Sequence, residues 1–245
     1  MALDHNLVLQ NLNDFENKVY NSTRPILVLV GGASSSGKSS VCSLLAHTFT
    51  NHSVAIISQD SYYYGKNDGP QAGSPAYNFD IPAAFDRDLL LSHMKDLVDR
   101  KPIEIPVYDY TTSERTKTVI KQEACDVIIL EGILVLAFEE LRAICDLKVF
   151  IDTPSDLCIL RRIQRDVVER GRTISSVMEQ YLETVRPAYE SFCGPSKNYA
   201  DIIIPGGGDN TAGISMLKNY FSTVLFAKSN TPVDSEEGSE KSDNQ

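Results

Sequence analysis

Residues 32–39 read Gly32-Ala33-Ser34-Ser35-Ser36-Gly37-Lys38-Ser39. Two glycines flank four residues, and a lysine and a hydroxyl follow. Such a loop can wrap its backbone N–H groups around phosphates, because the glycines permit both the turn and the close approach. Lys38 would reach the β- and γ-phosphates, and the Ser39 hydroxyl would ligate Mg2+. A helix opening near Ser39 adds the positive end of its dipole. The apolar strand Ile26–Val30 precedes the loop and an apolar-periodic helix follows it. Gly32, Ala33, Ser34, Ser35, Ser36, Gly37, Lys38, Ser39 and Ser40 are therefore the expected nucleoside triphosphate site. The loop by itself names no reaction.

Other chemistry-bearing residues refine that expectation. Val127-Ile128-Ile129-Leu130 is an apolar run that ends in Glu131. In phosphate-loop proteins a carboxylate in that place serves Mg2+ or its water shell. Asp60 follows the run Val54–Ser58. It could accept the proton of an attacking hydroxyl, or it could cap a turn. Arg161, Arg162 and Arg165 share one predicted helix, and Arg170-Gly171-Arg172 follows at its end. An arginine cluster around a glycine suits a lid that neutralises a moving phosphoryl group and excludes water. The alternative is a solvated helix face paired with Asp166 and Glu169.

These residues need elements to hold them. Ile26–Val30, Val54–Ser58, Val127–Leu130, Leu147–Ile151 and Ile202–Ile204 are apolar, β-rich runs. Val41–Phe49, Ala83–Val98, Ser155–Val168, Ile174–Tyr189 and Ala212–Phe226 carry helical periodicity. The alternation predicts an α/β fold with a parallel sheet flanked by helices. Ligands of such sheets collect beyond the carboxyl ends of the strands, where Gly32, Asp60, Glu131, Asp152 and Pro205-Gly206-Gly207-Gly208-Asp209 fall. Residues of about 101–121 have strand character without helices and predict a small β-ribbon. Residues of about 165–180 form the expected lid.

The main domain is expected over 25–228. Residues 1–24 read as an appendage, with Val8, Leu12, Phe15 and Val19 at helical spacing, and 229–245 as a disordered acidic tail. The charge balance is 23 Lys+Arg against 33 Asp+Glu, a net −10 over 245 residues. It argues against nucleic acid as a partner, since such binding rests on clustered basic residues. No apolar stretch nears the ~20 residues that span a bilayer, so no membrane partner is expected. The start does not read as a signal peptide. Five widely spaced cysteines without a C-x-x-C pattern suit a reduced, cytoplasmic setting.

Taken together, the motifs resemble the uridine kinase, or uridine–cytidine kinase, family of phosphate-loop kinases. The matching pieces run across roughly 26–226. Besides the phosphate loop they are Ile57-Ser58-Gln59-Asp60-Ser61-Tyr62-Tyr63, Tyr77-Asn78-Phe79-Asp80, Pro106-Val107-Tyr108-Asp109-Tyr110, Glu131-Gly132-Ile133-Leu134, Arg161–Asp166, Arg170-Gly171-Arg172, Gln180-Tyr181 and Asp209-Asn210. The resemblance implies roles by position. Asp60 would be the base on a nucleoside 5′-hydroxyl, and Lys38, Arg165 and Arg170 would assist transfer. Asp80, with Arg162 beside it, would hold the ribose hydroxyls, while Tyr108, Arg172 and Gln180 would face the nucleoside. Ser39 and Glu131 would serve Mg2+, and Asp209 would lie near the adenine of ATP. Two departures stand out. Ser113 occupies the place where the family commonly has a base-contacting His. Gly206 stands where the family often has an Arg.

The resemblance implies an ATP- and Mg2+-dependent kinase of pyrimidine nucleosides that assembles as a homo-oligomer, by resemblance a tetramer. Two rivals are a kinase of another small hydroxylated substrate and a non-catalytic nucleotide-binding regulator of the same fold. The chain has no Asn-Lys-x-Asp after a strand, the guanine-reading element of switch GTPases.

Overall fold

Seven strands form among the described residues: β1 (Ile26–Gly32), β2 (Val54–Ser58), β3 (Ile103–Asp109), β4 (Glu114–Gln122), β5 (Val127–Gly132), β6 (Leu147–Asp152) and β7 (Ile202–Pro205). The computed structural model describes residues 10, 24–47, 49, 52–74 and 77–229. The chain divides into two compact units, Arg24–Asn219 and Met1–Thr23 with Tyr220–Gln245. The predicted N-terminal helix and the acidic tail lie outside the described residues, apart from Gln10 and Ser229.

Five strands pair in the order β2-β5-β1-β6-β7, all parallel. The order follows from burial. Leu27–Val30 of β1 and Val127–Leu130 of β5 are fully buried, which suits central strands covered on both faces. Each such aliphatic side chain contributes about 1.5–3 kcal/mol when removed from water. Ile56 of β2 and Ile203 of β7 remain exposed, as befits edges. The sheet strands fall on the five predicted apolar runs. The remaining two, β3 and β4, form the expected antiparallel ribbon, with a register shift between Pro106 and Tyr108.

Among the described residues six α-helices are longer than one turn: α1 (Lys38–Ala46), α2 (Arg87–Val98), α3 (Glu139–Ile144), α4 (Ser155–Val168), α5 (Ile174–Gln180) and α6 (Thr211–Ser229). The sequence reading missed α3, which is too short to show a period. It also began α2 four residues early. Pro82–Ala84 forms a 3-10 turn, and α2 starts only after Asp86, whose Oδ1 accepts from Leu89 N at 3.2 Å. Asp80 caps neither element. Beyond Gln180 the helical path does not stop. It passes through two π-helical turns, Tyr181–Val185 and Tyr189–Cys193, and continues to Ser196. α6 opens at Asn210, whose Oδ1 accepts from Gly213 N at 2.9 Å. Within the second unit, Phe221, Val224 and Leu225 are buried. The five cysteines are all buried.

Candidate active site

Two clefts open at the carboxyl ends of the strands. The first, about 610 Å3, is lined by Ser34, Ser35, Gly37, Lys38, Ser39 and Ser40, with Glu131, Arg161 and Asp209 around them. Backbone geometry builds its floor. Ser36 N donates to Ala33 O at 3.1 Å and closes the loop. Gly37 has φ 95°, which lets the chain turn directly into α1. Thr153, at the end of β6, donates from Oγ1 to Ser36 O at 2.8 Å and fixes the loop from behind. Gly207, at φ 65°, lies flat on the loop, and a Cβ there would come within 2.5 Å of Ser36 O. Lys38 is buried, with Nζ on Gly32 O at 3.2 Å and Ala33 O at 2.9 Å. Gly32, Ala33 and Ser36 thus shape the loop from beneath rather than line this cleft. Arg161 meets Asp209 at 3.1 Å across its rim.

The Ser39 hydroxyl donates to Glu131 Oε1 at 3.1 Å. Burial raises the Glu131 carboxyl above its ordinary range. Nearby Asp60 adds to this and Lys38 opposes it. A desolvated carboxylate beside a hydroxyl is a hard, oxygen-only pair. That pair fits Mg2+, which takes one or two protein oxygens and fills its octahedron with waters and phosphates.

The second cleft, about 520 Å3, shares Ser34, Asp60, Ile133 and Arg165 with the first. Asp80, Tyr108, Ser113, Arg162, Arg172 and Gln180 all line it, so the six residues expected to face the acceptor come together from five separate stretches of chain. One wall is aromatic. The Tyr63 ring lies 5.3 Å from Tyr108 and 5.8 Å from Phe79, and Tyr77 lies 4.6 Å from Phe79. Asp80 is buried, and that burial raises its carboxyl. The Arg162 charge opposes the shift and Asp60 adds to it. Gln180 Oε1 accepts from Arg172 at 2.6 Å and Arg162 at 3.2 Å, so two arginines aim one amide. Asp60 is the second residue of the 3-10 turn Gln59–Tyr62, which Ser58 caps, its Oγ accepting from Asp60 N at 3.3 Å. The Asp60 carboxylate is left for the clefts and accepts from the Tyr110 hydroxyl at 3.1 Å.

Several organising residues were not visible in the sequence as such. Asp166 is fully buried and meets four arginines: Arg165 at 2.8 Å, Arg170 at 3.3 Å, Arg172 at 3.5 Å and Arg162 at 3.6 Å. The sequence reading offered it only as a surface partner. Its place amid arginines at i−4, i−1, i+4 and i+6 was the available signal. Gln59 is also fully buried, and its Oε1 accepts from Leu134 N at 2.9 Å, holding the loop after Glu131. A third cavity of about 230 Å3 adjoins Asp80 and Arg162 and is walled by Tyr181, Val185, Tyr189 and Cys193.

A phosphate loop alone is shared by many proteins, so sequence likeness over the whole domain decides. The model of the phosphoribulokinase/uridine kinase family matches residues 27–212. The chain belongs to that family. A uridine kinase of Bacillus cytotoxicus is 47% identical over 209 residues, covering 85% of this chain and 99% of that protein. A uridine kinase of Limosilactobacillus reuteri is 44% identical over 215 residues, covering 88% and 99%. Among solved structures, a candidate fructose transport system kinase from Silicibacter sp. TM1040 superposes with a TM-score of 0.64 at 19% identity, covering 83% of this chain and all of that one. A possible uridine kinase from Bacillus stearothermophilus gives 0.50 at 20% identity, covering 79% and 99%. At those identities the structures establish the phosphate-loop kinase fold alone. The family member described here is thus a kinase whose two clefts meet at one carboxylate, Asp60. No helix of the described residues is long and apolar enough to cross a membrane.

Proposed function

We propose that this chain transfers the γ-phosphoryl group of ATP to the 5′-hydroxyl of uridine or cytidine. One observation carries the reading. Asp60 stands in the wall common to a phosphate-loop cleft and an aromatic cleft that holds a buried Asp–Arg pair. A hydroxyl bound in the second cleft would therefore face a phosphate bound in the first. Uridine kinases that share nearly half the sequence support the choice of acceptor.

In the reaction, Asp60 accepts the proton of the 5′-hydroxyl as that oxygen bonds to the γ-phosphorus. The bond to the β-bridging oxygen breaks, and its electron pair leaves with ADP. Lys38, Arg165 and Arg170 neutralise charge on the moving group. Asp80 can accept from two vicinal ribose hydroxyls, with Arg162 beside it. The pyrimidine would lie against the Tyr108 ring, with Arg172 and Gln180 completing that side. Ser39 and Glu131 would hold Mg2+, which withdraws charge from the β- and γ-phosphates. Asp209 and Arg161 would border the adenine. By family likeness the enzyme would act in the cytoplasm as a homo-oligomer.

The test is ADP release from ATP with Mg2+ and a panel of nucleosides and other small hydroxylated acceptors. Release that requires uridine or cytidine is expected. Hydrolysis independent of any nucleoside would point to a nucleotide switch instead. Activity on a non-nucleoside acceptor alone would overturn the substrate assignment.

A further inference from the structure

Tyr110 sits at the tip of the ribbon, directly after β3, in a turn braced by Asp109, whose Oδ1 accepts from Thr111 N at 2.8 Å and Thr111 Oγ1 at 2.6 Å. Its side chain makes two contacts of different kinds. The hydroxyl donates to Asp60 Oδ2 at 3.1 Å. The ring face carries the Arg170 guanidinium at 4.3 Å from its centroid. Arg170 is anchored at its other side on Asp166, 3.3 Å away. One aromatic side chain therefore bridges the carboxylate between the clefts and the arginine of the lid.

We propose that Tyr110 is a positioning residue that couples the acceptor side of the reaction to the lid. Its hydroxyl occupies Oδ2 of Asp60 and leaves Oδ1 for the proton of the acceptor. Its ring holds Arg170 in the wall of the second cleft, on the side of Asp60 and Arg165. A phenylalanine could do the second task but not the first, and an aliphatic residue neither. The proposal rests on Asp60 being the base, as read above.

The experiment is steady-state kinetics of the full chain with uridine, ATP and Mg2+, for the native protein, Tyr110→Phe and Tyr110→Leu. Tyr110→Phe should lower kcat about 10-fold, the worth of a hydrogen bond to a charged group, with KM for ATP within about twofold. Tyr110→Leu should show the same loss in kcat and, in addition, a KM for ATP raised about 2- to 5-fold by loss of the cation–π contact. That second effect should vanish in an Arg170→Ala background.

Tyr110 is 43% exposed, so both variants should fold, as melting curves will establish. If Tyr110→Leu does not fold, Tyr110→Trp takes its place, and its KM for ATP should stay native. An unchanged kcat in Tyr110→Phe, beside an Asp60→Asn enzyme that is crippled, would overturn the proposal alone. An Asp60→Asn enzyme at full rate would remove the base assignment and the proposal with it.

Discussion

The two clefts, proposed to take the donor and the acceptor, share Asp60 and Arg165, yet they are assembled by different means. The first cleft takes its floor from one short segment, through the turn at Gly37, the close seat of Gly207 and the lysine and serines of the loop, while Glu131, α4 and Asp209 close its sides. The second cleft has no such local base. Its tyrosines, Asp80, four arginines and Gln180 arrive from the 3-10 turn after β2, the loop before α2, the ribbon, α4 and the loop after it, and α5. Phosphate is the same in every substrate, so a local loop can bind it. An acceptor must be told from its neighbours, and that takes polar and aromatic groups placed by the whole fold.

The sharpest break of this comparison is Lys38→Ala. The buried ammonium is the local loop's one cation, so kcat should fall about 10³-fold while circular dichroism and the melting temperature stay near native. Near-normal turnover in a folded variant would mean that the donor cleft is not where ATP sits. Next comes Asp60→Asn, with kcat down about 10²-fold or more. ATP affinity by calorimetry should change little, because the carboxylate is proposed to act on the acceptor.

Asp166→Asn asks whether the clefts are as separate as their construction suggests. Four arginines lose their common anchor, and kcat should drop between about 10- and 100-fold. Removing one partner of a buried ion network costs at least about 3 kcal/mol. The low end applies because Arg165, Arg170 and Arg172 remain 25–31% exposed. The melting temperature should fall by roughly 6–12 °C. A rise in KM confined to one substrate would assign the arginine cluster to one cleft.

Ser113→His is the mildest change and sharpens the acceptor side. Ser113 lines that cleft with φ 58°, a left-handed conformation that His tolerates better than most residues. The longer side chain could reach the base edge, lowering KM for uridine and cytidine about 2- to 13-fold with kcat changed less. An unchanged or higher KM would show that the pocket reads the base by other groups.

The same contrast explains what could be read before the fold was seen. The sheet was legible because strands covered on both faces are rich in apolar residues, most fully in the central β1 and β5, and the five apolar runs became the five strands. The donor loop was legible because its geometry depends on residues within one segment. Asp80, Tyr108 and Gln180 entered through family likeness, since nothing in their spacing brings them together. Asp166 looked like a helix-surface carboxylate because burial of a charge depends on what packs over it, and α5 and the loop after α4 do so only in the folded chain. The π turns were equally hidden, because Ile174–Tyr189 reads as ordinary helix.

Those turns have a consequence for winding. Tyr181, Val185, Tyr189 and Cys193 fall at every fourth residue and all wall the third cavity. In a straight α-helix of 3.6 residues per turn, a stripe with that spacing slips sideways by about 40° at each step. Over three steps it would leave the cavity. The wider π turns at Tyr181–Val185 and Tyr189–Cys193 unwind the path and take up the slip. They hold the stripe in phase. A single-residue deletion inside this stretch would restore tight winding and rotate Cys193 away from the cavity. The sequence between Gln180 and Ser196 is thus constrained in its number of residues as well as in their kinds.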